Sequence, residues 1–345
     1  MPLHSEIFEQ PQILSNLLVQ QWPNIQEIAR QIRSFEIDYI FLVARGTSDN
    51  AARYAQYLLG AKNGLPIALA TPSLFTLYDA PPRLKRALVI GVSQSGKSPD
   101  IVRVLAEGRA QGCPTIAITN AIDSDLNRAA AFHIDVQAGL EAAVAATKSY
   151  TAQLMVFAML SAALNDDTAA YNTLKRVPEW IEQMLGQDDA IMQMAERYRY
   201  MNQCVVLGRG FNYSTAFEWS LKLKELTYVV AEPYSSADFQ HGPIAVVDQG
   251  FPVLAVMPEG RVVADLLALV ERLKAEKRAE LLIISNQPQA LKLAQSPIRL
   301  PDDLPEWVSP MVAIVPAQLF CYHLTRAKGY DTEAPRGLHK VTETR

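Results

Sequence analysis

Four short stretches of the chain hold side chains that could do chemistry. The first is Gly91-Val-Ser-Gln-Ser-Gly-Lys-Ser-Pro-Asp100. An apolar run at 87–92 leads into it and an amphipathic helical pattern follows it at 100–109. A strand-to-helix loop in an α/β sheet is a common ligand position. Backbone N–H groups at a helix start have no partner inside the helix and favour an anion. Ser93, Gln94, Ser95 and Ser98 add short donors, and Gly96 lets the chain pass close to a ligand. A phosphate monoester suits this set better than a planar cofactor does. On its own the loop reads equally well as a Ser-capped turn. The second stretch, Ala44-Arg-Gly-Thr-Ser-Asp49, places Thr47 and Ser48 at the end of another apolar run. Alone it would be an ordinary N-cap. Two hydroxyl-rich loops on neighbouring strands point instead to a shared pocket.

The third stretch runs from Phe217 to Val230 and then to Ala237-Asp-Phe-Gln-His-Gly-Pro243. At helical spacing, Trp219, Leu223, Leu226 and Val230 form an apolar stripe suited to a core. Glu218, Lys222, Glu225 and Val229 form a second stripe, and Lys222 and Glu225 share a face. A solvated ion pair is the plainer explanation of those two. The sequel changes the balance. His241 precedes Gly-Pro in a turn, and histidine titrates near neutral pH without perturbation. A carboxylate and an imidazole near a phosphorylated sugar suggest proton transfers at carbon and oxygen. The fourth stretch is the polar tail Asp331-Thr-Glu-Ala-Pro-Arg-Gly-Leu-His-Lys340, which by itself reads as a frayed end with a solvated lysine.

Composition narrows the classes. With 345 residues, 49% hydrophobic and 20% charged, the chain has room for one large or two medium domains. A net charge of −4 argues against a nucleic-acid partner. The apolar stretches are too short or too interrupted to span a bilayer, so no membrane association is expected. Cys113, Cys204 and Cys321 form neither a metal-like cluster nor a disulfide framework. The polar start lacks a signal peptide, so a reducing cytoplasm is the expected location. No cofactor and no metal ion is expected.

Apolar runs at 39–44, 87–92, 115–119, 204–207, 251–256 and 281–285 are bounded by turn residues and separated by helical patterns. Continuous apolar strands alternating with helices imply α/β units, each a parallel sheet flanked by helices. The runs also repeat. Arg45-Gly46 recurs as Arg209-Gly210, and Asn120 as Asn286, in each case about 165 positions on. The expected organisation is an N-terminal arm at 1–25, a first unit at 26–165, a helical linker at 166–189, a second unit at 190–328 and a tail at 329–345.

Several of these motifs, in this order, resemble the isomerase half of glucosamine-6-phosphate synthase and its stand-alone double-SIS relatives. Glu6-Ile-Phe-Glu-Gln-Pro11 is similar to the family's opening. Gly46-Thr-Ser48 and Ser93-Gln-Ser-Gly96 match its sugar-phosphate loops. Ala145-Ala-Thr-Lys148 is similar to its Ala-Ser-Thr-Lys segment, with Ala146 in place of Ser. Leu221-Lys-Leu-Lys-Glu225 and His241-Gly-Pro243 match its catalytic helix and loop, and the tail from Lys328 to Lys340 resembles its mobile C-terminal segment. The resemblance implies two SIS subdomains. It also implies roles. Ser93, Gln94, Ser95 and Ser98 would hold the phosphate, and Thr47, Ser48 and Val144 would contact the substrate. Glu225 would move a proton between C1 and C2. His241, supplied by the neighbouring subunit of a homodimer, would open the ring. Lys340 would form a Schiff base with the open-chain ketose, and Lys222 would support the site. Arg336, Lys222 and His339 are the charges expected near Lys340. The chain departs from the synthase pattern in its ending Val-Thr-Glu-Thr-Arg345.

The small-molecule partner expected from this is a phosphosugar. Lacking the synthase's amidotransferase domain, the chain is expected to release ammonia from a hexosamine 6-phosphate, giving a ketose 6-phosphate. The alternatives are a deglycase acting on a sugar-phosphate–amino-acid adduct, a plain aldose–ketose phosphate isomerase, and a non-catalytic phosphosugar sensor. Glu225, His241 and Lys340 argue against the sensor.

Overall fold

The computed structural model describes residues 2–340. The tail positions beyond Lys340 lie outside the described residues. Among the described residues, ten strands form two five-stranded parallel sheets. The first has the order β2-β1-β3-β4-β5, from β1 (Tyr39–Val43), β2 (Ile67–Leu69), β3 (Ala87–Ser93), β4 (Thr115–Thr119) and β5 (Phe132–Asp135). The second has the order β10-β9-β8-β6-β7, from β6 (Gln203–Gly208), β7 (Val230–Ser235), β8 (Pro252–Val256), β9 (Glu280–Ser285) and β10 (Ser296–Arg299). Counted within each sheet, the two orders are identical, so the repeat in the sequence is a repeat of topology.

Every residue of β3, β4 and β8 is buried, which is why those strands read as unbroken apolar runs. In the first sheet, Val89, Phe41 and Ala117 pack with Ile101, Val104 and Leu105 of the helix Pro99–Ala110. In the second, Val205, Val253 and Leu281 pack with Leu266, Leu269 and Val270 of the helix Val263–Lys277. Each unit also contains one helix that is apolar all round and almost wholly buried. These are Lys148–Leu164 in the first and Ser309–Ala327 in the second, and each is enclosed by other helices as such a sequence requires.

The chain divides into two compact units. The first comprises Glu9–Ala142, Lys148–Arg176, His339 and Lys340; the second comprises the helix Pro2–Phe8, Ala143–Thr147 and Val177–Leu338. The N-terminal residues are helical in both, since a second helix runs from Gln10 to Ile32 without a break. Residues 166–189 carry the helices Thr168–Leu174 and Val177–Leu185 and the start of Asp188–Arg197. Cys204 and Cys321 are buried free thiols, and burial pushes both up from the ordinary thiol range, which leaves them poor nucleophiles.

One stretch differs from its sequence pattern. The helix Tyr213–Lys222 passes into a π-helical turn, Leu223–Thr227, and Tyr228 is left-handed at φ 58°. Trp219, Leu223 and Leu226 are buried as expected. Val230 is not part of that stripe: it opens β7 and is 60% exposed, because the wider turn and the left-handed residue end the 3.6 period before it. Val229 is likewise outside the helix, although it is buried.

Candidate functional site

In the first unit, the order β2-β1-β3-β4-β5 reverses between β1 and β3. Ligands of open α/β sheets bind beyond the carboxyl ends of the strands at such a reversal. Both hydroxyl loops lie there, one after each of these strands. Arg45 ties them together: its Nε donates to Asp100 Oδ2 at 2.8 Å, and the Asp100 carboxylate is fully buried. Asp100 Oδ1 also accepts the Ile101 N–H at 2.9 Å, which fixes the start of the helix Pro99–Ala110.

The 93–98 loop is shaped by its own hydroxyls. Ser93 Oγ accepts the Gly96 N–H at 3.1 Å, and Thr119 Oγ1 and the Asn120 N–H donate to the Gln94 carbonyl at 3.3 and 3.2 Å. Ser98 occupies the N-cap position of the helix yet makes no side-chain capping bond. A Ser-capped turn therefore does not account for Ser98. Gln94 and Ser95 are partly exposed, and the Ser95 hydroxyl accepts only a long 3.4 Å contact from the Lys97 N–H. Gly96 has φ +62°, and a Cβ there would lie 2.2 Å from Ser124 Oγ. Gly96→Ala should therefore lower stability by about 1–3 kcal/mol, the cost of forcing a side chain into the left-handed region. It should also weaken binding of inorganic phosphate. Urea unfolding and calorimetric titration check both, and an unchanged phosphate affinity would place the anion elsewhere.

The other loop is also not a plain cap. Arg45 is the N-cap of the helix Gly46–Asn63, so Thr47 and Ser48 stand in its first turn. Ser48 is buried and its Oγ accepts from Gln153 Nε2 at 3.0 Å. Burial holds the neighbouring Asp49 carboxyl above its usual range, with Arg53 and Arg45 pulling the other way.

The second unit holds Glu225, Lys222, His241 and Val144. Lys222 is 2% exposed and its Nζ lies 2.5 Å from Glu225 Oε2 and 3.4 Å from Glu218 Oε1. The Glu218 side chain is fully buried, whereas that of Glu225 is 24% exposed. Glu225 sits on the π-helical turn, a device often found at functional sites because it re-aims side chains. The structure thus replaces the solvated ion pair with a buried ammonium flanked by two carboxylates, one of which reaches solvent. His241 is exposed in the turn after the helix Ser236–Phe239, and its imidazole makes no hydrogen bond among the described residues. Val144 is partly buried in the 143–147 segment, where the Ala143 N–H donates to the buried Glu6 carboxylate at 3.3 Å.

The tail residues up to Leu338 belong to the second unit and are well held. The Arg336 N–H donates to the Tyr228 hydroxyl at 2.9 Å, and the guanidinium stacks over Tyr228 and Tyr330 at 4.2 and 5.0 Å. Lys340 belongs to the first unit, where its Nζ lies 2.9 Å from Glu141 Oε2. The Glu141 side chain is fully buried and also accepts from the Ser149 N–H and Oγ–H. The charged partner shown for Lys340 is thus a carboxylate, while Arg336 packs on the two tyrosines. Sequence reading missed Glu141, whose partner lies 199 positions away.

The repeat extends to the loop chemistry but with one difference. Arg209, the counterpart of Arg45, is paired with Asp265 in the first turn of the helix Val263–Lys277. The loop after β8, however, has no serine cluster. There the Arg261 N–H donates to Glu306 Oε2 at 3.0 Å, and a Cβ on Gly260 would lie 2.3 Å from Glu306 Cδ.

Comparison with known proteins places the fold. The SIS domain family model matches residues 35–163 and 198–326. The chain belongs to this family, as a double-SIS member related to the isomerase domain of glucosamine-6-phosphate synthase. It is 36% identical over 338 residues to the glutamine–fructose-6-phosphate aminotransferase (isomerizing) of Methanothermobacter thermautotrophicus, covering 97% of this chain and 56% of that protein. The chain thus spans about half the length of the curated relatives it matches. The C-terminal domain of glucosamine-fructose-6-phosphate aminotransferase from Francisella tularensis superposes with a TM-score of 0.87 at 27% identity, covering 97% of this chain and 98% of that one. Glucosamine-6-phosphate deaminase from Thermotoga maritima shares the fold, with a TM-score of 0.80 at 19% identity over the whole of both chains.

Proposed function

We propose that the protein converts a hexosamine 6-phosphate and water into a ketose 6-phosphate and ammonia. The observation that carries this reading is the Glu225 carboxylate, held by a buried lysine and open to solvent. Moving a proton between adjacent carbons needs one base that can hold the proton and return it, and a carboxylate fixed on a helix suits that task. In this reading the 93–98 loop, with Thr47, Ser48 and Val144, binds the phosphosugar. His241 moves the proton that opens the ring. Glu225 takes the proton from C2 and returns it at C1, so C1 is reduced as C2 is oxidised. Water then adds at C2, nitrogen leaves as ammonia, and the ketose remains. Lys340 forms a Schiff base with the ketose, and Lys222 steadies Glu225. The nitrogen chemistry is supported by the named activity of the 36% identical relative.

Ammonia and ketose phosphate should be measured together across a panel of amino- and glycated-sugar 6-phosphates. Equimolar release of both from a hexosamine 6-phosphate is the expected result. Aldose–ketose conversion without loss of nitrogen would make the protein a plain isomerase, and release of an amino acid would make it a deglycase. Binding without turnover across the panel would leave a sensor.

The reading includes a cytoplasmic homodimer with shared sites. An exposed imidazole that makes no hydrogen bond among the described residues is suited to serve a neighbour's substrate. Mixed dimers of Glu225→Gln and His241→Asn chains should recover up to part of the parent turnover. No recovery in verified heterodimers would confine each site to one chain.

A further inference from the structure

Away from the groups discussed so far, three helices of the second unit converge on one point. His4 comes from the helix Pro2–Phe8, Asp188 opens the helix Asp188–Arg197, and His323 lies in the last turns of Ser309–Ala327. His4 Nε2 is 2.9 Å from Asp188 Oδ2, and His323 Nε2 is 2.6 Å from Asp188 Oδ1. One carboxylate is thus approached on both oxygens by the same ring nitrogen of two histidines. One donor atom from each of the three residues lies within 4.8 Å of the others.

We propose that His4, Asp188 and His323 form a binding site for a divalent transition-metal ion of the zinc, cobalt or nickel class. Two imidazole nitrogens and a carboxylate are a donor set those ions accept. Around one such ion, with bonds of ~2.0–2.2 Å, donors stand about 3.4 Å apart, so small side-chain movements complete the site. The Asp188 charge offsets part of the ion's, and each neutral imidazole needs only to carry its proton on Nδ1 instead of Nε2. The rings are already held in place. His4 packs against Phe8 and Tyr322 in tilted ring contacts at 4.7 and 4.8 Å, and the His323 side chain is 5% exposed. A cavity of ≈ 200 Å³, lined by Met192, Glu196, His323, Arg326 and Ala327, adjoins His323. The donors lie on three separate helices, so the ion would fasten the N-terminal helix to the other two. This inference is independent of the proposed reaction.

The test uses the full, tag-free chain, stripped with a chelator and titrated with zinc chloride by calorimetry and with cobalt chloride by visible absorption. The expected result is one equivalent bound per chain, a cobalt spectrum showing nitrogen ligation, and a melting midpoint that rises until that equivalent is reached. His4→Gln should weaken binding at least 10–100-fold, roughly the loss that changes beyond the ligand shell already cause. His323→Gln and Asp188→Asn should do the same. His4 is partly exposed, so its variant keeps the fold if the buried His323 change does not. Absence of a stoichiometric site in the parent chain overturns the proposal. So does zinc affinity in His4→Gln equal to the parent's.

Discussion

Glu225→Gln should abolish exchange of the C2 hydrogen with solvent deuterium and lower turnover by about 10²–10⁴-fold, the usual worth of a positioned acid–base group. Phosphosugar binding should change little, because in the proposed reading the 93–98 loop holds the anion. The fold should also survive. Lys222 is buried, and removal of its sole counter-charge would be costly. Here Glu218 remains, with its carboxylate 3.4 Å from Lys222 Nζ. The glutamine keeps the shape of the side chain and loses only the ability to carry a proton. Deuterium exchange by magnetic resonance, run beside turnover, separates the chemical step from binding. Exchange persisting at the parent rate would assign the proton transfer to another group.

The second large effect concerns Lys340. A lysine attacks a carbonyl only as the free amine, so it must first give up its partner and a proton. The partner in this structure is the buried Glu141 carboxylate, 2.9 Å away, which is also placed to receive that proton. Incubation with ketose 6-phosphate and borohydride should trap one covalent adduct per chain, and peptide mapping should place it at Lys340. Lys340→Ala should lose the adduct entirely and still bind phosphate. Glu141→Gln should keep Lys340 present but slow the trapping. It should also lower stability, since Glu141 accepts two hydrogen bonds from Ser149. An adduct on another lysine, or full turnover by a chain ending at Ala334, would remove Lys340 from the mechanism.

How far these groups could be read from the sequence follows from how local their signals are. The six central strands declared themselves because both their faces are buried. The edge strands β2, β5, β7 and β10 did not, since their burial is mixed and all but β7 are short. The hydroxyl loops were legible because each follows a recognisable strand. Their joint position needed the strand order and the Arg45–Asp100 pair, neither of which spacing reveals. The helix carrying Lys222 and Glu225 was legible as far as its regular period lasted. The π-helical turn at 223–227 has no sequence signature, and a 3.6-residue pattern carried past it reached Val230 wrongly. Glu141 with Lys340, and His4 with Asp188 and His323, are brought together only by tertiary structure, so no window along the chain could pair them.

The duplicated topology gives each chain two places where a sheet reverses and an anion could dock, yet the two have diverged. In the first unit the loop after β3 keeps the hydroxyls of Ser93, Ser95 and Ser98. In the second, the Glu306 carboxylate accepts the Arg261 N–H and fills the space beside Gly260. The protein thus supplies its own resident anion to one copy of the cradle. In the proposed reading, half of the symmetry has become a structural lock that needs no metabolite, and the other half answers to one. A chain built from two equal folds should therefore titrate as a one-site receptor for inorganic phosphate, and cutting back Glu306 to alanine is the change that would reopen the silent copy.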